Sequence, residues 1–147
     1  MARRLDAWKI VNGFFEALYT ERPTRAVVAA GYSWGGRYAV LLTHRSNWKM
    51  ANGGFREGGF VVGAFAAHPA MLSVPKDLAS VARPLSLALS DVDEMVGEKG
   101  VKKMQDALAS VTAVETEIKI YEGAQDGEFA SVRARNEANG HRICRPG

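Results

Sequence analysis

Residues 26–43 read AVVAAGYSWGGRYAVLLT and join an unbroken apolar run to an abrupt glycine-rich break. The run at 26–30 is apolar at every position, which predicts a parallel-sheet strand that helices cover on both faces. Residues 31–36 end that strand sharply, and residues 37–43 predict a helix. The stretch therefore predicts a strand, a tight turn and a helix in direct succession.

The turn places a serine between glycines, in the pattern Gly31-x-Ser33-x-Gly35. Between a strand and a helix, this pattern is typical of a nucleophile elbow, in which a strained backbone lifts a serine hydroxyl above the sheet. The amide N–H of Trp34 and the positive end of the helix would then face a developing oxyanion. An ordinary glycine turn is the alternative, and the flanking strand and helix favour the elbow.

The rest of the chain alternates between helical apolar spacing and short apolar runs bounded by glycine or proline. This alternation predicts an α/β fold with a mostly parallel sheet, flanking helices and right-handed crossovers. The last strand alternates apolar and polar residues, which predicts a position near a sheet edge. The predicted elements are helices over 5–18, 75–83 and 101–111, strands over 60–66, 85–89 and 117–121, a polar loop over 45–59 and a charged tail from 128 with one helix.

Composition limits the classes of protein to consider. A chain of 147 residues with 47% hydrophobic content fits a single domain over 1–147. The chain has 19 basic and 16 acidic residues, and the basic residues are scattered without a dense block. This distribution argues against a nucleic-acid partner. One cysteine excludes an internal disulfide and a cysteine-based metal site. No apolar run is long enough for a membrane span, so we expect a cytoplasmic protein without a membrane partner.

Four polar residues follow predicted strands, where parallel sheets bind their ligands. They are Ser33, His68, Asp93 and Asp126. Asp93 is the best partner carboxylate for Ser33, because a nucleophile elbow requires the chain order serine, acid, histidine. Asp91 is the alternative, and a purely structural role for both aspartates in closing the turn is the other interpretation.

The three histidines are candidate bases. His68 lies at a strand end but precedes Asp93 in the chain, which is the wrong order for a triad. We expect His44, at the end of the elbow helix, to be a cap or a surface residue. His141 has the right chain order but lies in the charged tail with nothing around it to position a base.

Substrate-binding candidates lie near the elbow and in the tail. Arg37, Arg133 and Arg135 are candidates for a substrate carboxylate, with solvated surface positions as the alternative. Tyr32 and Trp34 are candidates for the lining of an apolar pocket, with packing against neighbouring strands as the alternative.

Four segments resemble the dienelactone hydrolase family in that family's order and spacing. They are GYSWGGRYA at 31–39, AHP at 67–69, LALSDVD at 87–93 and IYEGA at 120–124. The resemblance extends from about residue 5 to residue 136. It implies an α/β-hydrolase fold, a small-molecule ester or lactone substrate, and no metal or cofactor. It also implies that Ser33 takes the nucleophile position, often a cysteine in the family, and Asp93 the acid position.

Two departures from the family pattern lower the expected activity. The run GAQDGEF at 123–129 puts Asp126 where the family has its histidine. An aspartate is a weak base toward a serine hydroxyl, and it would repel Asp93. About two dozen residues precede the first strand, where the family has several strands, so the chain resembles the later half to two-thirds of such a hydrolase. We therefore expect impaired hydrolysis, with a non-catalytic module that binds a small molecule or a partner chain as the alternative.

The same family order predicts that the strand at 26–30 is a sheet edge. This edge is apolar and carries no charge, proline or bulge of the kind that usually protects edges. We therefore expect self-association through this exposed strand edge.

Overall fold

Strands and helices alternate along the chain in the computed structural model, which describes residues 4–23, 25–50, 53–90 and 96–122. All the predicted helices and strands within these ranges are present, with boundaries that differ by a few residues. The elements are α1 (Arg4–Glu21), β1 (Val28–Tyr32), α2 (Trp34–Leu42), a 3-10 turn (Arg45–Asn47), β2 (Gly63–Ala67), α3 (Lys76–Ala79), β3 (Leu85–Ser90), α4 (Gly97–Ala109) and β4 (Thr116–Tyr121). No helix in the described ranges is both long and apolar enough to cross a membrane.

The four strands form one sheet in the order β1-β2-β3-β4, and every neighbouring pair is parallel. The protein therefore has an α/β fold, as the sequence predicts. Because the strand order follows the chain order, right-handed crossovers place their connecting helices on the same face of the sheet. β1 and β4 are the two edges of the described sheet.

The main hydrophobic core lies between this face of the sheet and helices α2, α3 and α4. Ala66, Leu87 and Ile118 share a register position across three strands, so their side chains point to the same face. The helices cover this face with apolar side chains that are nearly inaccessible to solvent. The core residues from the helices include Ala39, Val40, Leu78, Val101, Met104, Ala107 and Leu108.

Helix α1 packs on the same side of the molecule and forms a second apolar cluster. Phe15 and Tyr19 of α1 are buried against Phe60 and Leu42. The Tyr19 hydroxyl donates a hydrogen bond of 2.5 Å to the Phe60 carbonyl, and the Trp8 ring stacks on Tyr38 of α2 with centroids 6.4 Å apart. The apolar stripe predicted for this helix is therefore its packing face.

The other face of the sheet differs from the prediction. Val28 is 65% exposed and Tyr32 is 45% exposed, whereas Ala29 between them packs against the core. The prediction that helices cover both faces of this strand is wrong for the described residues. An unbroken apolar run does not reveal which helices cover a strand, because their placement depends on the strand order. Here α1, α2, α3 and α4 all lie on one side.

His44 is buried and connects α2 to α3, contrary to the surface or capping position predicted for it. Only 5% of the residue is exposed, and its Nε2–H donates to the Asp77 carbonyl at 2.6 Å. Burial lowers the pKa of His44 below its ordinary value of 6.5, and the hydrogen bond and the negative charge of Asp77 oppose this effect. Burial dominates because it disfavours the charged imidazolium.

This lowered pKa predicts that stability depends on pH through His44. In the unfolded chain, His44 takes up a proton near pH 6.5, whereas in the folded protein it does so only at lower pH. The contribution of His44 to the free energy of unfolding is therefore complete above pH 6.5. It is lost as the pH falls from 6.5 to the lower pKa that His44 has in the folded protein. We expect His44→Gln, which keeps an N–H donor but does not titrate, to reduce the stability loss between pH 7.5 and 5.5 in urea unfolding. An equal loss in both proteins would assign the effect to other groups.

Candidate active site

The turn between β1 and α2 consists of one residue, Ser33. β1 ends at Tyr32 and α2 begins at Trp34, so the helix starts three residues earlier than the sequence predicted. Ser33 has φ 49° and ψ −118°. A positive φ is unusual for a residue with a side chain and costs energy, so such residues persist only where the surrounding structure fixes them.

Two backbone hydrogen bonds fix Ser33, one to the last residue of β2 and one to the segment that follows β2. The Ser33 N–H donates to the Ala67 carbonyl at 3.0 Å, and the Ser33 carbonyl accepts from the Ala70 N–H at 3.0 Å. The same carbonyl accepts from the Arg37 N–H of α2 at 3.4 Å. The Ser33 side chain is exposed and makes no capping hydrogen bond to α2. Its hydroxyl is therefore accessible at the carboxyl edge of the sheet.

The glycines around Ser33 have different roles. A Cβ atom on Gly31 would lie 2.3 Å from the Gly35 carbonyl oxygen, a distance that the backbone cannot accommodate without moving. A Cβ atom on Gly36 would lie 3.1 Å from the Cα atom of Pro69, so Gly36 permits the close approach of α2 to the end of β2. A Cβ atom on Gly35 would have no heavy atom within 4 Å. Of the two glycines in the Gly-x-Ser-x-Gly pattern, only the first is required by packing.

This difference gives a matched pair of variants. We expect Gly31→Ala to lower the free energy of unfolding by at least about 2 kcal/mol, because the added methyl group would collide with backbone atoms. Gly35→Ala adds the same group in open space within a helix and should raise stability by about 0.5–1 kcal/mol. Urea denaturation of both variants tests the prediction. Equal effects would contradict the steric account of the turn.

His68 lies beside Ser33 at the carboxyl edge of the sheet. It follows β2 directly, has φ 34°, and donates its backbone N–H to the Ala88 carbonyl at 2.8 Å. Because Ser33 bonds to the carbonyl of Ala67, the residue just before His68, the two positive-φ residues are neighbours in space. Only 7% of His68 is exposed. The structure therefore brings together two of the four polar residues that the sequence placed at strand ends.

Two exposed aromatic side chains flank Ser33. Tyr32 is 45% exposed and contacts Phe65 of β2 edge to face, with centroids 6.2 Å apart. Trp34 is 52% exposed and contacts Tyr38 edge to face, with centroids 4.7 Å apart. Both rings therefore pack against a neighbouring ring, as one of the two predicted alternatives states, and their role in lining an apolar pocket stays a prediction. Sequence reasoning missed Phe65, because its position beside Tyr32 follows from the pairing of β1 with β2.

Arg37 lies on the first turn of α2 and is half-buried. Its guanidinium carbon is 6.0 Å from the centre of the Tyr38 ring, at the outer limit of a cation–π contact. The side chain is thus close to the elbow, as a substrate-binding role requires. That role stays a prediction.

The remaining predicted site residues lie outside the described residues: Asp91, Asp93, Asp126, Arg133, Arg135 and His141. β3 ends at Ser90, so Asp93 follows the carboxyl end of that strand by three positions. Within the described ranges, no group of three or more histidine, cysteine or acidic residues is arranged to hold a metal ion.

An open cavity of about 240 Å³ lies at the opposite end of the sheet. Its lining includes Val28, Gly63 and Leu85, the first residues of β1, β2 and β3, together with Glu115 and Glu117. The Glu117 carboxylate accepts a hydrogen bond from the Ser86 hydroxyl at 2.9 Å. The cavity is far from Ser33 along the strands and is not part of the candidate site.

Comparisons with solved structures agree with this fold. No protein-family model and no curated protein matches the chain. Among solved structures, a predicted CIB-like hydrolase from Thermoplasma acidophilum matches 83% of this chain with a TM-score of 0.58 and 17% sequence identity. SOBER1 from Arabidopsis thaliana also matches 83% of this chain, with a TM-score of 0.55 and 19% identity.

The chain spans about half the length of these solved structures, 52% of the first and 55% of the second. Sequence identities at this level establish a shared fold and do not by themselves transfer a function. The chain therefore shares the α/β fold of these solved structures, and the α/β-hydrolase superfamily that the family resemblance implied stays a prediction.

Proposed function

We propose that this protein is a dienelactone-hydrolase-like hydrolase that uses Ser33 as a nucleophile on an ester or lactone. The observation that carries the proposal is the backbone of Ser33, whose positive φ at a one-residue strand-to-helix turn leaves the hydroxyl exposed and free of any capping bond. This combination is what a nucleophile elbow requires. A serine that only caps a helix would have extended backbone angles and would bond to the helix N–H groups.

The proposed reaction is acyl transfer to Ser33 followed by hydrolysis. The Ser33 hydroxyl oxygen attacks the substrate carbonyl while a base takes its proton, and the carbonyl oxygen becomes an oxyanion. The N–H of Trp34, the first residue of α2, is available to that oxyanion because the first N–H groups of a helix have no intrahelical partner. The leaving oxygen accepts the proton and departs. Water then attacks the acyl group and regenerates Ser33.

The base is the weak part of this site. By resemblance, Asp93 orients the base and Asp126 occupies the position of the family histidine, where an aspartate is a poor proton acceptor for a serine hydroxyl. His68 is the described histidine nearest to the elbow, because Ser33 bonds to the residue before it. Its low exposure and its early place in the chain make it a weaker candidate than a histidine after Asp93. We therefore propose slow hydrolysis.

The substrate surface that we propose is aromatic. Tyr32 and Trp34 present exposed rings on either side of Ser33, and such rings favour an apolar or conjugated acyl group. Arg37 on the first turn of α2 would meet a carboxylate on the same substrate. The proposal thus specifies a small ester or lactone with an unsaturated or apolar acyl part.

A non-catalytic binding module is the second candidate function. The observation that favours it is Asp126 at the position of the base, since a serine without an effective base is a weak nucleophile. Such a module would bind a small molecule or a partner chain at the same carboxyl edge of the sheet. The two functions differ in whether Ser33 forms an acyl intermediate.

We expect the purified chain to hydrolyse p-nitrophenyl acetate slowly, only slightly above the buffer rate, and Ser33→Ala to remove this excess. Ser46→Ala, at an exposed serine in the 3-10 turn, is the matched control and should leave the rate unchanged. Initial rates at high protein concentration measure the difference. A turnover of ~10 s⁻¹ or more, typical of a competent enzyme, would contradict the weak-base assignment. An excess rate that survives in Ser33→Ala would contradict the nucleophile assignment.

A further inference from the structure

Three non-glycine residues in the described ranges have a positive φ, and all three lie in one region of the fold. They are Ser33 at φ 49°, His68 at φ 34° and Met71 at φ 63°. Two backbone hydrogen bonds connect their segments, because Ser33 donates to the Ala67 carbonyl and accepts from the Ala70 N–H, each at 3.0 Å. Backbone conformations of this kind cost energy and are found most often at functional sites. The proposed function gives a role to the first two residues and leaves Met71 without one.

The path of the backbone explains the positive φ at position 71, but it does not explain the methionine. Ala70 bonds to Ser33, and Leu72 packs against the main hydrophobic core, so the chain turns from the elbow into the core at this position. Glycine adopts this conformation without a steric cost, whereas a side chain makes it unfavourable. The turn alone favours glycine, and a methionine therefore indicates a second requirement at position 71.

Met71 lies within reach of the Ser33 hydroxyl. The Ala70 nitrogen is 3.0 Å from the Ser33 carbonyl oxygen, and Met71 follows it by one Cα–Cα step of ~3.8 Å. The residue is 50% exposed. Its side chain is unbranched and has three rotatable bonds, so it adapts to apolar groups of different shapes. A substrate that reaches Ser33 therefore passes close to Met71, and the surface around both residues is open for the same reason.

We propose that Met71 is a specificity-determining residue that contacts the acyl group of the ester or lactone bound at Ser33. This inference rests on the proposed function and adds to it a preference for the length of the acyl group. Tyr32 and Trp34 adjoin Ser33 in the chain, whereas Met71 follows β2 and approaches the acyl group from another side. A thioether is polarizable and packs well against apolar and aromatic groups. The site therefore prefers a longer apolar acyl group to an acetyl group.

Two variants separate the side chain of Met71 from its backbone conformation. Met71→Ala removes most of the side chain but keeps the steric cost of the positive φ, whereas Met71→Gly removes both. The Ser33-dependent kcat/KM is measured with p-nitrophenyl hexanoate and p-nitrophenyl acetate, which share a leaving group. We expect both variants to lower the hexanoate-to-acetate ratio about tenfold, because the contacts with the longer acyl chain are lost. Met71→Gly should also raise the melting temperature by about 2–4 °C, because it relieves the backbone strain.

Val62→Ala is the matched control. Val62 is also 50% exposed, but it precedes β2 and lies at the opposite end of that strand from Met71. This variant should keep the ratio of the unaltered chain.

The outcomes distinguish a failure of Met71 from a failure of Ser33. An unaltered chain without Ser33-dependent hydrolysis of either ester would overturn the proposed function and, with it, this inference. Hydrolysis with an unchanged ratio in Met71→Ala, or with an equal fall in Val62→Ala, would overturn the role of Met71 alone. A fall confined to Met71→Gly would assign the effect to the backbone, and would likewise overturn the side-chain contact.

Protection from oxidation tests the same contact without turnover. Hydrogen peroxide converts an exposed methionine to its sulfoxide. Trypsin cleaves after Arg56 and Lys76 and releases residues 57–76, in which Met71 is the only methionine. We expect Met71 to oxidise several-fold more slowly when Ser33 carries a long-chain alkylphosphonate than when it carries a methylphosphonate. Met50, which packs against the second apolar cluster, is the internal reference and should oxidise at the same rate in both adducts.

Equal oxidation of Met71 in the two adducts would overturn the contact. A chain that takes no label on Ser33 would overturn the proposed function together with this inference.

Discussion

The hydrogen bond from the Ser33 N–H to the Ala67 carbonyl is the contact on which the site depends. It extends the pairing of β1 and β2 by one residue past the end of β1 and holds Ser33 at φ 49° while the chain turns into α2. Gly31 allows the helix backbone to fold back over the strand, and Gly36 allows the helix to approach Pro69. Without these close approaches, the strain at Ser33 would relax and the hydroxyl would lose its position above the sheet.

The strand order accounts for the remaining features of the described structure. Because β1 to β4 follow one another across the sheet, the connecting helices fall on one face, and α1 packs beside α2 on the same side. This arrangement buries the core around Leu87 and leaves Val28 and Tyr32 exposed on the opposite face. The strand order thus explains three features together: the open face of the sheet, the unprotected edge of β1 and the exposed aromatic residue before the elbow.

Local sequence patterns were sufficient to predict much of this structure. Contacts with one neighbouring layer explain the helical spacing of apolar residues in α1, the apolar run of β3 and the apolar–polar alternation in β4. Such contacts leave a regular pattern that can be recognised in the sequence. The glycines around Ser33 predicted the turn because the steric constraint that favours glycine there comes from residues nearby in the chain. The sequence predicted a start of α2 after Trp34, because glycine is a poor helix former in isolation. In the structure, the contacts of α2 with the sheet override that preference, and the helix begins at Trp34.

Features that depend on long-range arrangement could not be predicted. The burial of His44 depends on the Asp77 carbonyl, 33 residues away in the chain. The contact of Tyr32 with Phe65 depends on which strands pair. The exposed face of β1 depends on the placement of every helix. A single stretch of sequence does not contain this information, because the residues involved come together only when the sheet forms.

Covalent labelling with a fluorophosphonate tests most directly whether Ser33 is a nucleophile. The Ser33 oxygen would bond to phosphorus, and fluoride would leave with the hydroxyl proton. Trypsin cleaves after Arg25 and Arg37 and releases residues 26–37, a peptide in which Ser33 is the only serine. The account predicts one adduct per folded chain, located on Ser33 by fragmentation of this peptide, and none in the unfolded chain. An unlabelled peptide, or an adduct on another residue that persists in Ser33→Ala, would contradict it.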